Sequence, residues 1–203
     1  GTYAPGVRLM RLAHAAWQSA SLAPIAVAHL DALSAEVGET VHLAQLDHAQ
    51  VIYVDKRNAA DPVQMYSQSG KVGPAYCTGV GKAMMAYLPE EELTRVLAQQ
   101  SYHKFTDTTH TNAESLRGEL VDIRANGYGF DREEHEPGIY CVAAAIVPDR
   151  KQANGGMIGG ISVTSPAYRL DKKTIKVWEK LVAETANAIE SDVANLLGPR
   201  HQN

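Results

Sequence analysis

Two stretches near the C-terminal end, Ile139 to Pro148 and Met157 to Ser165, most constrain what this chain can fold into. Each is a long strand-forming run, and the polar turn Asp149 to Gly156 joins them into a hairpin. Alternate residues of a strand face opposite sides of its sheet. Here both sets are apolar or small, so both faces need covering, by helices or by a second sheet.

The remaining text supplies the helices. Val7 to Ala20 carries Leu9, Leu12, Ala13, Ala16 and Ala20 at helical spacing. A second helix opens near Pro24, presents Ala26, Leu30, Leu33 and Val37, and stops at Gly38. Gly79 to Leu88 forms a third, and Pro89 starts a short fourth with Glu90, Glu91 and Glu92 in its first turn. Asn112 caps a helix to about Ala125, with Leu116, Leu120 and Ile123 on one face and Asn126-Gly127 as its stop. Asp171 to Leu197 is long, its stripe made by Ile175, Trp178, Val182, Ile189, Val193 and Leu196, and Gly198-Pro199 ends it. Between helices, Glu39 to Leu46 and Gln50 to Lys56 read as a hairpin about Asp47-His48-Ala49. Pro62 to Ser67 reads as a further strand, Ser69 to Pro74 as a loop, and Tyr128 to Asp131 as a short strand. The expected fold is α+β, a largely antiparallel central sheet flanked by helices, with residues 1–203 as one domain.

Composition narrows the function. A net charge of −4, with Lys and Arg scattered, argues against a nucleic-acid contact made by this segment itself. No apolar run reaches the ~20 residues that cross a bilayer, no signal peptide is visible, and the only cysteines, Cys77 and Cys141, suit a reduced, cytoplasmic setting.

Three places could hold chemistry. The turn Cys77-Thr78-Gly79-Val80-Gly81-Lys82 runs directly into a helix, where unpaired backbone N–H groups favour a small anion; the plainer reading is Thr78 as N-cap and glycines as a tight turn. On the final hairpin, Cys141, Ala143 and Ala145 share one face, as do Gly160, Ser162 and Thr164. That face is either a pocket wall with hydroxyls or a bed of small residues on which a helix packs closely. Asp131 ends a strand before the run Arg132-Glu133-Glu134-His135-Glu136, which reads as solvated surface unless the strand carries Asp131 inward. Catalysis is poorly supported: Cys141 has no neighbouring base, and neither a Gly-x-Ser-x-Gly elbow nor a phosphate-binding loop is present. The eight His residues are dispersed, so no metal or other cofactor is expected, beyond a fortuitous site near His135 and Cys141.

Taken in order, several strings resemble the effector-binding domain of IclR-family bacterial transcription regulators. They are Leu33-Ser34-Ala35-Glu36-Val37-Gly38-Glu39-Thr40-Val41, Val51-Ile52-Tyr53-Val54-Asp55, Cys77-Thr78-Gly79-Val80-Gly81-Lys82-Ala83 and Gly127-Tyr128-Gly129-Phe130-Asp131-Arg132-Glu133-Glu134, followed by Gly138-Ile139-Tyr140-Cys141-Val142-Ala143-Ala144 and Ile161-Ser162-Val163-Thr164-Ser165-Pro166. The opening helix after Tyr3-Ala4-Pro5-Gly6 fits the same pattern. The resemblance implies a GAF-like fold, a homodimer or homotetramer, and DNA binding through an amino-terminal winged helix absent from this chain. The helix within residues 1–22 would pack on the domain beside the linker to that part.

It also implies ligand positions: Gly79 and Val80 at the helix start, Asp131, Cys141, Ser162 and Thr164, where Thr164 replaces a common Ser. Val63, Met65 and Val72 are expected as apolar wall, and Gly73 as extra room. Backbone N–H groups at Gly79 and Val80 would hold a carboxylate, and the hydroxyls of Ser162 and Thr164 would add hydrogen bonds. Asp131 would repel that anion unless it meets a ligand hydroxyl or stays protonated through burial. A small hydroxy or keto carboxylate meets both demands. The expected function is an effector-sensing, oligomerising domain of a repressor of carbohydrate or organic-acid catabolism. An enzyme using Cys141 and Asp131, or an oligomerisation module with a vestigial pocket, stand as alternatives.

Overall fold

A computed structural model of the chain describes residues 6–20, 22–63, 65, 67–147 and 159–197. Its centre is the hairpin of β5 (Ile139–Ile146) and β6 (Gly159–Pro166), paired from Ile139↔Pro166 to Ile146↔Gly159. The turn between them lies outside the described residues. β1 (Thr40–Asp47) adds to the free edge of β6, then β2 (Gln50–Arg57) and the short β3 (Val72–Pro74); β4 (Gly129–Arg132) closes the other edge. All of these pairings are antiparallel, giving one six-stranded sheet in the order β3-β2-β1-β6-β5-β4.

The alternation on β5 and β6 divides the core in two. Val142, Ala144, Ile146, Ile161 and Val163 face α2 (Ala23–Val37) and α6 (Lys172–Leu197), where Leu30, Trp178, Val182 and Ile189 are buried. Ala143 and Ala145 face α3 (Gly79–Met85), backed by Tyr76, Met84, Met85 and Leu116. Full burial of such a side chain contributes about 1.5–3 kcal/mol, so a sheet covered on both faces is the stable solution for this hairpin. Helix ends follow local chemistry: the Asn112 side chain accepts from Ser115 N at 2.9 Å to start α5 (Ala113–Asn126), and Gly127 ends it at φ 83°. Glu90–Ala98 is α4, preceded by Pro89, and Val7–Ala20 is α1.

The structure corrects three local expectations. Residues 62, 63, 65 and 67 carry no ladder; the extra strand is Val72–Pro74, inside the segment expected as loop. Pro lacks the N–H of a central strand, and β3 is an edge. Leu196 is 70% exposed and does not belong to the core stripe, which among these residues ends at the buried Val193. On α1, which adjoins α2, Leu9 and Leu12 are also exposed, so this part of the expected stripe is not covered by the described residues.

Candidate functional site

The α3 side of the sheet is closely packed at one end and hollow at the other. Gly160 takes the closely packed end: a Cβ there would lie 3.2 Å from Met84 Cγ. At the hollow end a cavity of about 420 Å³, counting its open mouth, has Cys141, Ser162 and Thr164 as floor. Both readings of the small-residue face therefore hold, each over its own half of the hairpin.

The start of α3 forms one wall. Thr78 stands at the N-cap with φ −115° and ψ 140°, but its hydroxyl donates backwards to Pro74 O at 2.8 Å and caps no helical N–H. The first-turn N–H groups have no partner inside a helix, and Gly79 and Val80 border the cavity. A side chain at Gly79 would press on Ala143 Cβ and Cys141 Sγ, each 3.3 Å away, so glycine lets the helix sit against the floor. Gly81 is tighter still, since a Cβ there would lie 2.3 Å from Ala75 O.

β4 carries Asp131 inward, in register with Cys141, and buries it to 6% exposure. Its Oδ1 accepts from Glu134 N at 2.7 Å. Burial, reinforced by the Glu134 charge, pushes its pKa up to about 8, so the carboxyl is mostly protonated at neutral pH. Cys141 Sγ lies 3.1 Å from Thr164 Oγ1, and burial raises its thiol to about 12; burial raises Cys77 as well. On the next strand His42 Nε2 is 2.8 Å from Ser67 Oγ, and burial with the Lys56 charge lowers the imidazole to about 3. The thiols are protonated and the histidine is a very weak base. These groups are suited to holding a ligand rather than reacting with it.

A buried ion cluster braces the wall that Asp131 begins. Lys82 on α3 is wholly inaccessible and donates to Glu134 at 2.5 and 2.6 Å and to Glu119 Oε2 at 2.9 Å. His110 Nε2 lies 2.5 Å from Glu119 Oε2. His110, Glu119 and Glu134 have donor types that bind metals, but the cation in their midst is the Lys82 ammonium. Thr109 Oγ1 donates to Glu134 O at 2.6 Å and Thr108 Oγ1 to Arg132 O at 2.9 Å. The connector from Arg132 to Gly138 is thus pinned from two sides, and its His135 and Glu136 line the mouth.

With this geometry in place, comparison with known proteins is decisive. The family model for the bacterial transcriptional regulator IclR C-terminal domain matches residues 14–191. The chain belongs to the IclR family. It is 30% identical over 191 residues to the HTH-type transcriptional regulator KdgR of Escherichia coli, covering 94% of this chain and 71% of KdgR. It is 33% identical over 154 residues to the HTH-type transcriptional repressor AllR of Klebsiella pneumoniae, covering 76% of this chain and 55% of AllR. Among solved structures, Thermotoga maritima IclR superposes with a TM-score of 0.84 at 31% identity, covering 94% of this chain and 76% of that one. An IclR homolog from Microbacterium hydrocarbonoxydans complexed with 4-hydroxybenzoate shares the fold, with a TM-score of 0.78 at 23% identity, over 93% of this chain and 74% of that one. The relatives are transcriptional regulators, not enzymes. No helix among the described residues is long and apolar enough to cross a membrane.

In this IclR domain the six residues singled out from sequence, Gly79, Val80, Asp131, Cys141, Ser162 and Thr164, border one cavity. Met65 joins them as apolar wall, whereas Val63 and Val72 do not line it, and Val72 is 39% exposed. Gly73 does not widen the cavity as expected: a Cβ there would rest 3.5 Å from the Tyr53 ring, which already occupies that side. His135 reaches the mouth without any metal-binding partner set including Cys141 among the described residues. Sequence reasoning missed His42, Tyr53 and Ser67 as lining residues, and Glu134 as the partner of Lys82. Strand alternation held the only available signal for His42, which shares a face with Thr40 and Ala44.

Proposed function

We propose that residues 1–203 form a single effector-binding and oligomerising domain, and that its cavity takes a small hydroxy or keto carboxylate. Buried Asp131 carries this reading. A carboxylate beside an ionised, buried aspartate would be strongly repelled, but a protonated Asp131 turns its O–H into a donor for the same anion. Gly79 and Val80 then supply backbone donors, and Ser162 and Thr164 supply hydroxyls for a neighbouring keto or hydroxyl oxygen. The methyl of Thr164 and the Cys141 thiol line the less polar part. The Microbacterium homolog holds 4-hydroxybenzoate, itself a hydroxylated carboxylate, in a fold of this kind.

Around that site we place a cytoplasmic repressor of carbohydrate or organic-acid catabolism, in keeping with relatives named KdgR, AllR and acetate operon repressor. It contacts DNA through a winged-helix part outside this chain and assembles as a homodimer or homotetramer. The uncovered Leu9 and Leu12 on α1 support an oligomer that forms next to the linker. Effector binding regulates by favouring one arrangement of that oligomer over another. A thermal-shift screen against small hydroxy, keto and plain carboxylic acids tests the reading. Stabilisation by hydroxy or keto acids without turnover is expected. Silence across the panel would favour a vestigial pocket, and turnover would favour an enzyme.

A further inference from the structure

The wall of the cavity opposite Asp131 is also polar, and the carboxylate reading leaves it without a task. His42 on β1 stands opposite Ser162 in the β1–β6 pairing and is only 2% exposed, with the Tyr53 ring centroid 5.3 Å from its own. Its outer nitrogen, Nε2, has a good partner in Ser67 Oγ at 2.8 Å. Its inner nitrogen has only long contacts, 3.4 Å to Thr164 Oγ1 and 3.5 Å to Ser162 Oγ, at the limit where hydrogen bonds lose most of their strength. Both hydroxyls border the cavity. Burial, with the charge of Lys56, whose Nζ donates to Ser67 O at 2.9 Å, keeps the imidazole uncharged. An uncharged ring has one donor and one acceptor, which suits a hydroxyl and offers no salt bridge to a second carboxylate.

The sheet sets the separation. Asp131 lies on β4 and His42 on β1, three steps apart in the order β4-β5-β6-β1. Strands lie about 4.8 Å apart, so the backbones are separated by roughly 14 Å and side chains reach inward from each end. A ligand that meets both walls runs along the floor of Cys141, Thr164 and Ser162, with its carboxylate at the Asp131 end and a hydroxyl at the His42 end.

We propose that His42, together with Ser67, is a specificity-determining pair that reads a hydroxyl at the far end of the effector and so selects hydroxylated acids over their deoxygenated counterparts. The proposal rests on the carboxylate reading of the cavity. A deoxygenated analogue leaves buried polar groups facing an apolar atom, which a site built around a hydroxyl resists.

The test is titration calorimetry of the whole chain with two pairs that differ by a single hydroxyl, 6-hydroxyhexanoate with hexanoate and 4-hydroxybenzoate with benzoate. The wild type should bind the hydroxylated member of at least one pair about tenfold more tightly, the ratio expected of one well-made buried hydrogen bond. In His42→Phe, which keeps a ring against Tyr53, that ratio should fall below about twofold while the deoxygenated acid binds much as before. Ser67→Ala, far less intrusive to packing, should narrow the ratio by about threefold and replaces His42→Phe if circular dichroism shows that variant unfolded. An unchanged ratio in the folded variants, or none in the wild type, overturns the proposal and leaves the carboxylate reading standing. Failure of all four acids to bind the wild type overturns both.

Discussion

Replacing Lys82 with Met removes a positive charge that has no access to water and leaves two carboxylates facing each other. The Lys82 side chain is 0% exposed, Glu134 4% and Glu119 18%, with separations of 2.5 to 2.9 Å from the ammonium. Such groups are poorly screened, and removing one partner of a buried ion pair typically costs about 3–5 kcal/mol. For a chain of this size each kcal/mol moves the melting temperature by about 2–4 °C, so a loss of roughly 6–20 °C is expected. The pH dependence provides an independent check. In the wild type burial opposes ionisation of Glu119, but the His110 hydrogen bond and Lys82 outweigh it and hold its pKa at about 2. Its contribution is therefore present above its ordinary value of 4.5 and lost as pH falls towards 2. Without the ammonium less remains to offset the burial of Glu119, so its pKa should move up and its protonated form be favoured. The stability deficit of Lys82→Met relative to the wild type should then narrow as pH falls from about 7 to 5, a comparison in which the Asp131 contribution, common to both, cancels. Urea unfolding at fixed protein concentration across that range measures both effects. A loss under about 1 kcal/mol, or no recovery at lower pH, would refute this account of the cluster.

Other consequences follow from the same geometry. Carboxylate affinity should fall as pH rises through about 8, where Asp131 ionises, and Asp131→Asn should remove that fall; calorimetry in buffers from pH 6 to 9.5 shows which holds. Because the raised pKa lies above the unfolded value of 3.8, Asp131 also makes the folded chain less stable as pH climbs from 4 to 8, which Asp131→Asn should lessen. Gly81→Ala, whose Cβ would lie 2.3 Å from Ala75 O, should destabilise by about 1–3 kcal/mol or more. Gly118→Ala, with open space around its Cβ in α5, should stabilise by about 0.5–1 kcal/mol, and equal effects in urea unfolding would refute the packing argument.

Much of the sheet was legible because β5 and β6 obey a two-residue period with apolar residues on both faces, which leaves few ways to cover them. The extra strand was misread for a physical reason. Val63, Met65 and Ser67 alternate like a strand yet make no ladder, while Val72-Gly73-Pro74 has poor strand composition and pairs only because β2 offers it an edge. In the site, Asp131 was suspect because a strand runs into it, and its burial depends on β4 pairing with β5. His42 gave no comparable sign, since its role depends on β1 lying beside β6, some 120 residues later. Lys82 braces the wall behind the glycine turn, but its charge partner Glu134 lies 52 residues on, in a run that reads as solvated surface.

The central claim, that this cavity recognises a carboxylate through α3, Asp131 and the hydroxyls of β6, is tested most directly by one titration. The hydroxy or keto acid that gives the largest thermal shift is titrated into the wild type and into the double variant Asp131→Ala/Ser162→Ala. The account predicts at least a hundredfold loss of affinity, about 2.7 kcal/mol, from removing two buried hydrogen-bonding partners. Affinity that survives both substitutions would place the effector elsewhere in the protein.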